Sequence, residues 1–369
     1  MTFLFNSPSD SLSSSKSVKS LWAKTLFADR RSVYLLLILL ILTVCMGWGV
    51  LIGPVDISGE TIWHLLLHKL NIEDTVASRP WMETVVFDVR SPRVMVAVLV
   101  GATMGICGAA MQGLFKNPLA SPEVLGVSSG ASLGAVIAIF FGLSTVSIWI
   151  LPMFAFVGAT LTIALVYTIA TSRGHTPVGT LLLSGVAVGA LNVSMSSFII
   201  ALSFENYEVS RMIVFWTMGG LEGRVWDHVW LILPICLLGS TIIITFARDL
   251  DVLLLGDIHA SSVGVDVMQV RKILLLSTAI MIGGAISVAG GIGFIGLVIP
   301  HVMRFIVGPS HRYLLPASFL GGGICLLLAD LFLRGLFSQN VIPLGVITSM
   351  VGAPFFLYLL VNNRKEFQI

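Results

Sequence analysis

The sequence predicts an all-α, polytopic integral membrane protein with about ten transmembrane helices. Hydrophobic residues make up 56% of the 369 residues and charged residues only 11%, whereas an ordinary globular domain carries roughly 25% charged residues. The apolar residues fall into uncharged runs of about 20 residues, the length that crosses a hydrocarbon core of roughly 30 Å. The 36 glycines suit close helix packing in lipid. This composition excludes a soluble enzyme and a disordered protein, and the net charge of +2 does not indicate nucleic acid as a partner.

The N-terminal region combines a polar segment with the first apolar run. Residues 1–31 are rich in serine and basic residues and are predicted to form a disordered cytoplasmic leader. The run that follows, 33–52, is longer than the roughly 7–15 apolar residues of a signal peptide, and no small-residue cleavage site follows it. We therefore expect a retained transmembrane helix. The four cysteines lie within apolar runs, which argues against a disulfide framework or a Cys-x-x-Cys metal site.

The uncharged runs place ten spans in a transmembrane domain over 32–362, followed by a short tail, 363–369. The runs are 33–52, 94–115, two helices within 124–172 with a turn near 142–145, 174–204, 229–247, two helices within 273–307 broken at glycines 290–293, 313–333 and 343–361. An even number of spans puts both termini on one side of the membrane. Lys and Arg are concentrated in the leader, in 248–272 and in the tail, so the positive-inside rule predicts cytoplasmic termini.

Two polar segments are predicted to lie outside without spanning. The periplasmic segment 53–93 contains an amphipathic helix over 60–70, and the short apolar centre of 211–227 predicts a half-helix at the outer mouth of the bundle. In the first of these, His64 and His68 lie one turn apart. They could contribute to a metal site, but no further ligand is evident, so a polar face on a surface helix is the favoured explanation, and we predict no metal, catalytic or cofactor site.

Two stretches break the apolar runs and are candidates for the transport pathway. Asn117 and Pro118 begin a proline-rich turn on the predicted inner side, because proline cannot continue a helix. The second stretch contains Gly293, Gly296, Pro300 and His301. Such a break either lines a pathway or allows small residues to pack closely, and the sequence leaves both alternatives open.

One acidic residue lies within a predicted span. Asp330 is a functional candidate because acids are costly inside a membrane. Arg334 follows four residues later, so an intrahelical ion pair accounts for both residues, although a role at the outer mouth remains open. No Gly-Lys pair of a phosphate-binding loop occurs in the chain, so any ATP used would be hydrolysed by a partner ATPase.

The chain resembles the FecCD family, the permease subunits of bacterial ABC importers for iron–siderophore complexes, haem and cobalamin. The resemblance extends over 33–362 and is carried by motifs that include Arg90-Ser91-Pro92-Arg93, Asn117-Pro118-Leu119-Ala120, Gly293-Phe294-Ile295-Gly296 and Pro300-His301. It implies a ten-helix subunit that pairs with a second permease subunit around a central pathway. Two ABC ATPase subunits would dock inside, and a periplasmic or lipoprotein substrate-binding protein would dock outside.

The resemblance also implies roles for particular residues. Arg90, Arg93 and Arg334 would meet acidic groups of the binding protein, since guanidinium groups pair with carboxylates; lipid headgroup anchoring is the alternative. Contacts with the ATPase would involve Gly256, Asp257, Ala260, Ser261 and Gly264. The expected cargo is an iron(III)–siderophore chelate, with haem or cobalamin as the alternative. An ion-coupled secondary transporter is the rival from another class, and it would need embedded acids, for which Asp330 is the candidate.

Overall fold

The computed structural model describes residues 30–72, 80–171, 177–337 and 342–362. All regular secondary structure in these ranges is helical, which confirms the predicted all-α class. The predicted leader lies outside the described residues except for positions 30 and 31, and so does the tail 363–369. Both remain predictions.

The described helices follow the uncharged runs closely. In chain order they are α1 (Arg30–Leu51), α2 (Gly59–Lys69), α3 (Ser91–Leu114), α4 (Val127–Phe140), α5 (Ile150–Ala170), α6 (Val178–Leu202), α7 (Tyr207–Thr217), α8 (Trp226–Thr245), α9 (Ala247–Leu253), α10 (Asp257–Ser262), α11 (Val267–Ala289), α12 (Ile295–Val307), α13 (His311–Leu336) and α14 (Leu344–Asn362). A short helical turn (Pro80–Thr84) and a π-helical turn (Val85–Arg90) lead directly into α3. Each of the ten predicted spans therefore corresponds to one apolar helix.

Seven of the described helices are long and apolar enough to cross a membrane, and the other three apolar helices, α4, α12 and the part of α14 over Leu344–Leu359, are shorter. Helices α4 and α12 are too short to cross alone. They have 14 and 13 residues, which at 1.5 Å per residue gives about 20 Å of helix against a core of roughly 30 Å. The segments that precede them therefore supply the rest of each crossing: 115–126, which contains a 3-10 turn over Pro122–Leu125, and the glycine-rich 290–294. Both helices begin inside the bundle.

Helix α3 is the centre of the bundle, and nearly all of its residues are buried. It packs against α13 most extensively, and α8, α11 and α12 surround it. Glycines bring α3 and α13 together: a Cβ on Gly101 would collide with the carbonyl oxygen of Gly322, and one on Gly105 would collide with that of Ser318. Backbones this close require small residues, as is common where helices pack in lipid.

The two ends of the bundle differ in what they carry. The start of α3 carries Arg93, and we call this end the arginine end. The opposite end carries α10, because Lys116, just after α3, lies 2.9 Å from Asp257 at the start of α10. The predicted amphipathic helix is confirmed as α2, whose buried Leu65 packs with Val86 in a small separate core at the arginine end.

Candidate docking and pathway sites

The arginine end contains an ion-pair cluster that joins α3 to α13. Arg334 Nη2 lies 2.9 Å from Asp330 Oδ2, which confirms the predicted intrahelical pair. The structure adds Arg93, whose Nη2 and Nε donate to Asp330 Oδ1 at 2.7 and 3.0 Å. The Asp330 side chain is only 1% exposed. A carboxylate buried this deeply needs the two guanidinium groups as partners.

Arg90 and Arg334 are not free at the surface, contrary to what a direct docking role requires. Arg90 is 3% exposed and Arg334 is 7% exposed. Arg90 donates to the carbonyl oxygens of Val50 and Leu51 at 2.9 and 2.8 Å, and Arg334 donates to that of Gly49 at 3.1 Å. These carbonyls belong to the last turn of α1, where four acceptors lack a helical partner. Both arginines are therefore occupied in capping α1, which also leaves them little contact with lipid headgroups.

Arg93 differs because one edge of its guanidinium reaches the surface. Its side chain is 18% exposed, and it lies 3.3 Å from Glu222, which is 44% exposed. Glu222 belongs to the loop 218–225, which also holds Arg224. Burial lowers the pKa of Arg224 to about 10, and Glu222 opposes that shift, so Arg224 is still protonated at neutral pH.

Four arginines lie in and beside this cluster: Arg90, Arg93, Arg224 and Arg334. Their acidic neighbours are Asp330, Glu222, Asp56, which acts electrostatically on Arg90, and Asp227, which acts on the same histidine as Arg224. Arg90 and Arg334 are buried, so Arg93 is the member whose exposed edge is open to an acidic group of a partner.

At the opposite end, the predicted ATPase-contacting stretch forms the short helix α10. Gly256 and Gly264, which flank it, have φ angles of +113° and +91°, a region that favours glycine. Ala260 is fully buried and faces the bundle. Ser261 Oγ donates to the carbonyl oxygen of Asp257 at 3.0 Å. The two glycines and Ala260 therefore fix how α10 lies on the bundle.

Asp257 anchors α10 by ion pairs within the chain. Lys116 lies 2.9 Å from one carboxylate oxygen and Arg271 lies 2.8 Å from the other. The hydrogen bond from Lys116 and the charge of Arg271 lower the pKa of Asp257 below its ordinary value. Asp257 therefore holds α10 against α3 and α11, although its side chain remains 45% exposed.

The surface of this end that points away from the bundle is apolar. Ile258 is 85% exposed, Leu255 is 71% exposed and Val263 is 67% exposed. All three lie in or beside α10. Large aliphatic side chains that are this exposed beside charged residues are typical of a surface that another protein covers.

The glycine-rich break is closely packed along most of its length. Gly296, Pro300 and His301 are buried, and a Cβ on Gly108 would collide with the backbone of Gly296. These residues are therefore packed, as one of the two alternatives for this stretch expects. Gly293 is half-buried and lies beside a polar side chain that comes from the segment 115–126.

That segment carries Asn117 and Pro118 near the surface and then enters the bundle. Asn117 Oδ1 accepts from the N–H of Leu119 at 2.9 Å, which shapes the turn, and Asn117 is exposed. Further along, Leu125 is fully buried. Gly126, at φ +74°, starts α4. The predicted turn covers 117–122, and the structure adds that the chain continues into the bundle before α4 begins.

Glu123 is the residue that the sequence analysis missed. A Cβ built on Gly293 would lie 3.7 Å from both carboxylate oxygens of Glu123 and 3.9 Å from Ser349 Oγ. The crevice that Glu123 lines also includes Met104 and Ile282, which belong to the central turns of α3 and α11. Glu123 is therefore a second acid, besides Asp330, that lies among the apolar helices of the bundle.

The histidines of α2 do not form part of a larger cluster in the described part of the chain. No group of three metal-ligating side chains is present there. The polar-face interpretation of His64 and His68 fits α2, because Leu65 is the residue that this helix buries.

A bundle of apolar helices of membrane-spanning length, with an arginine–carboxylate cluster at one end and a short helix with exposed apolar side chains at the other, is the architecture expected of a membrane permease. The chain belongs to the FecCD transport family, whose model matches residues 36–362. The resemblance stated above is therefore confirmed. Members of this family are permease subunits of ABC transporters and not enzymes, and ATP is hydrolysed by their partner ATPases. Family membership also removes the secondary-transporter alternative.

Named relatives cover most of the chain. The cobalamin import permease BtuC of Halobacterium salinarum is 45% identical over 75% of this chain and 73% of its own length. The hemin transport permease HmuU of Yersinia pestis is 37% identical over 89% of this chain and 95% of its own length. A solved metal-chelate type ABC transporter in an inward-facing conformation has a TM-score of 0.79 and 29% identity, and it covers 90% of this chain and 99% of the solved chain.

Proposed function

We propose that this ABC importer permease carries a metal chelate, and specifically an iron(III)–siderophore-type chelate, across the inner membrane. Family membership is the observation that carries the proposal. Relatives named for cobalamin and for hemin support the alternatives of cobalamin and haem equally well. All three cargoes are metal complexes of a rigid or chelating organic ligand, so one permease architecture suits them.

Two ABC ATPase subunits dock at the α10 end in this proposal. The exposed side chains of Leu255, Ile258 and Val263 support it, because a partner that covers them removes apolar surface from water. The anchoring of α10 by Asp257 supports it as well, since a helix that is fixed to α3 and α11 passes a displacement by the ATPases to the bundle. This chain binds no ATP itself.

The substrate-binding protein, whether periplasmic or lipoprotein, docks at the arginine end. The exposed edge of Arg93, held in place by Asp330, supports this assignment. A second permease subunit pairs with this chain to enclose the pathway, and alternating access moves the chelate. Both termini are cytoplasmic in this arrangement, and lipid surrounds the subunit pair.

Reconstitution tests the proposal directly. The complex of this permease with its ATPases is placed in liposomes, the binding protein is added outside, and uptake of labelled ferric siderophore, haem and cobalamin is followed. We expect uptake of one of these chelates that requires both ATP and the binding protein. Uptake without ATP, or none with any chelate, would contradict the proposal.

A further inference from the structure

Helix α2 carries more apolar surface than the bundle covers. Its buried residue, Leu65, packs with Val86 in the small separate core. Three further large apolar side chains stay exposed: Trp63 at 58%, Leu66 at 41% and, at the C-cap, Leu70 at 60%. Because these three residues are three and four positions apart, they lie on one face of the helix, and we call this face the α2 stripe. A contiguous exposed apolar face of this kind marks an interaction site.

The rest of the exposed surface of α2 is polar. Thr61, His64 and His68 lie on the side of the helix away from the stripe, as the helical period of 3.6 residues requires. His68 is exposed. A helix with tryptophan and leucine on one face and polar side chains on the other has the pattern of a helix that lies in the plane of a membrane interface.

The level of α2 along the bundle matches a bilayer interface. Helix α1 has 22 residues, or about 33 Å of helix, so its last turn reaches the boundary of a hydrocarbon core of roughly 30 Å. The start of α2 lies beside that turn, because a Cβ built on Gly59 would lie 3.7 Å from Cδ2 of Leu51. Val50, from the same turn of α1, packs against the small core that contains Leu65. Helix α2 is therefore level with the end of a membrane crossing.

The α2 stripe also continues the apolar surface of α1. Helix α1 is an apolar span that lies at the edge of the bundle and is largely exposed, so lipid is the surrounding that its composition requires. Its exposed side chains reach its last turn and include Leu40, Val44, Trp48 and Leu51. Tryptophan is enriched at the interfaces of a membrane. Three exposed tryptophans lie near this level: Trp48 on α1, Trp63 on α2 and Trp81, which is next to a residue of the small core.

We propose that α2 is an interfacial helix, with the α2 stripe immersed in the lipid at the arginine end and the polar side of the helix in water. Lipid is favoured over a protein partner because the stripe adjoins the exposed apolar surface of α1 at the level where that span ends. Such a helix buries its apolar face about 5–10 Å into the boundary between headgroups and acyl chains. Through Leu65 and Val86, α2 then holds the π-helical turn Val85–Arg90 at the membrane surface, and it sets the height of the arginine end above the lipid.

Spin labelling tests this inference on the complete permease–ATPase complex in liposomes of phosphatidylethanolamine and phosphatidylglycerol. A nitroxide is attached to Trp63→Cys, Leu66→Cys or Leu70→Cys, and His68→Cys is the matched control on the polar side of the same helix. The unsubstituted chain gives the background, which should be low because three native cysteines are buried and Cys325 is half-buried. Collisions with oxygen, which concentrates in lipid, are compared with collisions with a water-soluble nickel chelate. We expect oxygen to dominate at the three stripe positions and the nickel chelate to dominate at His68→Cys.

Three results would overturn the inference. Dominant collisions with the nickel chelate at the stripe positions would place the stripe in water. Few collisions with either reagent would show that protein, such as a second permease subunit, covers it. Loss of oxygen collisions only after the loaded binding protein is added would assign the stripe to docking. ATPase activity that matches the wild type shows that each labelled complex is folded, and the three stripe positions are independent tests if one variant does not assemble. The collision measurement requires no cargo, so its outcome is separate from that of the proposed function.

Discussion

Asp330 on α13 accepts a 2.7 Å hydrogen bond from Arg93 on α3, although 237 positions separate the two residues in the chain. Arg334 pairs with the other carboxylate oxygen of Asp330 at 2.9 Å. One buried carboxylate thus fixes two guanidinium groups, and it ties together the two helices that form the centre of the bundle. The exposed edge of Arg93 is held in place by the same contact.

We expect Asp330→Asn to destabilise the subunit by about 3–5 kcal/mol, because removing one partner of a buried ion pair leaves the other charges uncompensated. The measurement is the apparent melting temperature of the purified subunit in detergent. Glu83→Gln is the matched control, since Glu83 pairs with Lys69 at the surface at 3.5 Å and such pairs contribute about 0–1 kcal/mol. Equal melting temperatures for the two variants would show that Asp330 does not hold the cluster.

Arg93→Gln should weaken binding of the loaded substrate-binding protein about tenfold, a loss of about 1.4 kcal/mol, because Arg93 is the member of the cluster with an exposed edge. Arg211→Gln serves as the control, since Arg211 is an exposed arginine on α7 at the same end. Affinity is measured on the assembled complex in nanodiscs. The same affinity for wild type and Arg93→Gln would remove Arg93 from the docking surface.

For Arg90, at the same end of the bundle, we expect a loss of folding rather than a loss of docking. Arg90→Gln should lower the yield of folded subunit, because the carbonyls at the end of α1 then lose a charged donor, and hydrogen bonds to charged groups contribute about 1.5–3 kcal/mol each. Gel filtration after detergent extraction measures this yield. If Arg90→Gln folds normally and instead weakens docking, the capping role inferred from its burial is wrong.

Ile258→Asp should weaken association with the ATPase subunits about tenfold, because a partner that covers this side chain would then bury an unpaired charge. Co-purification with a tagged ATPase measures the effect. Ile72→Asp provides the control, since Ile72 is 68% exposed at the arginine end. Normal co-purification and uptake by the Ile258→Asp complex would exclude α10 as the coupling element.

The sequence predicted the ten apolar helices well because each depends on a local property, a run of residues without charge. The pair of Asp330 and Arg334 was predictable for the same reason, since four positions in a helix bring two side chains together. Arg93 could not be assigned to that pair, because no local pattern links residues that lie on different helices. How deeply Arg93 and Arg90 are buried also depends on how α1, α3 and α13 pack together.

Glu123 escaped the sequence analysis for a different reason. Prolines 118 and 122 predict a turn, and a turn at the membrane surface has the same local chemistry as one that enters the bundle. A short α4 indicates that the turn before it enters the bundle. The sequence does not show that α4 is short, because the uncharged run 124–172 continues without a break past the point where α4 begins. An acid directly before an apolar run of that kind is the signal that could have suggested a re-entrant segment.

Orientation is the last prediction, and it rests on the distribution of basic residues. The structure adds two positions at opposite ends of the bundle, Glu60 on α2 and Ser262 on α10, and both are exposed. Three of the four native cysteines are buried and Cys325 is half-buried, so an introduced cysteine should dominate the reaction. In intact cells, a membrane-impermeant maleimide should label Glu60→Cys and leave Ser262→Cys unlabelled. After permeabilisation both should react, which shows that Ser262→Cys is accessible. Labelling of Ser262→Cys in intact cells would show that α10 faces outward. This result would contradict the predicted topology, because α10 could not then meet cytoplasmic ATPases.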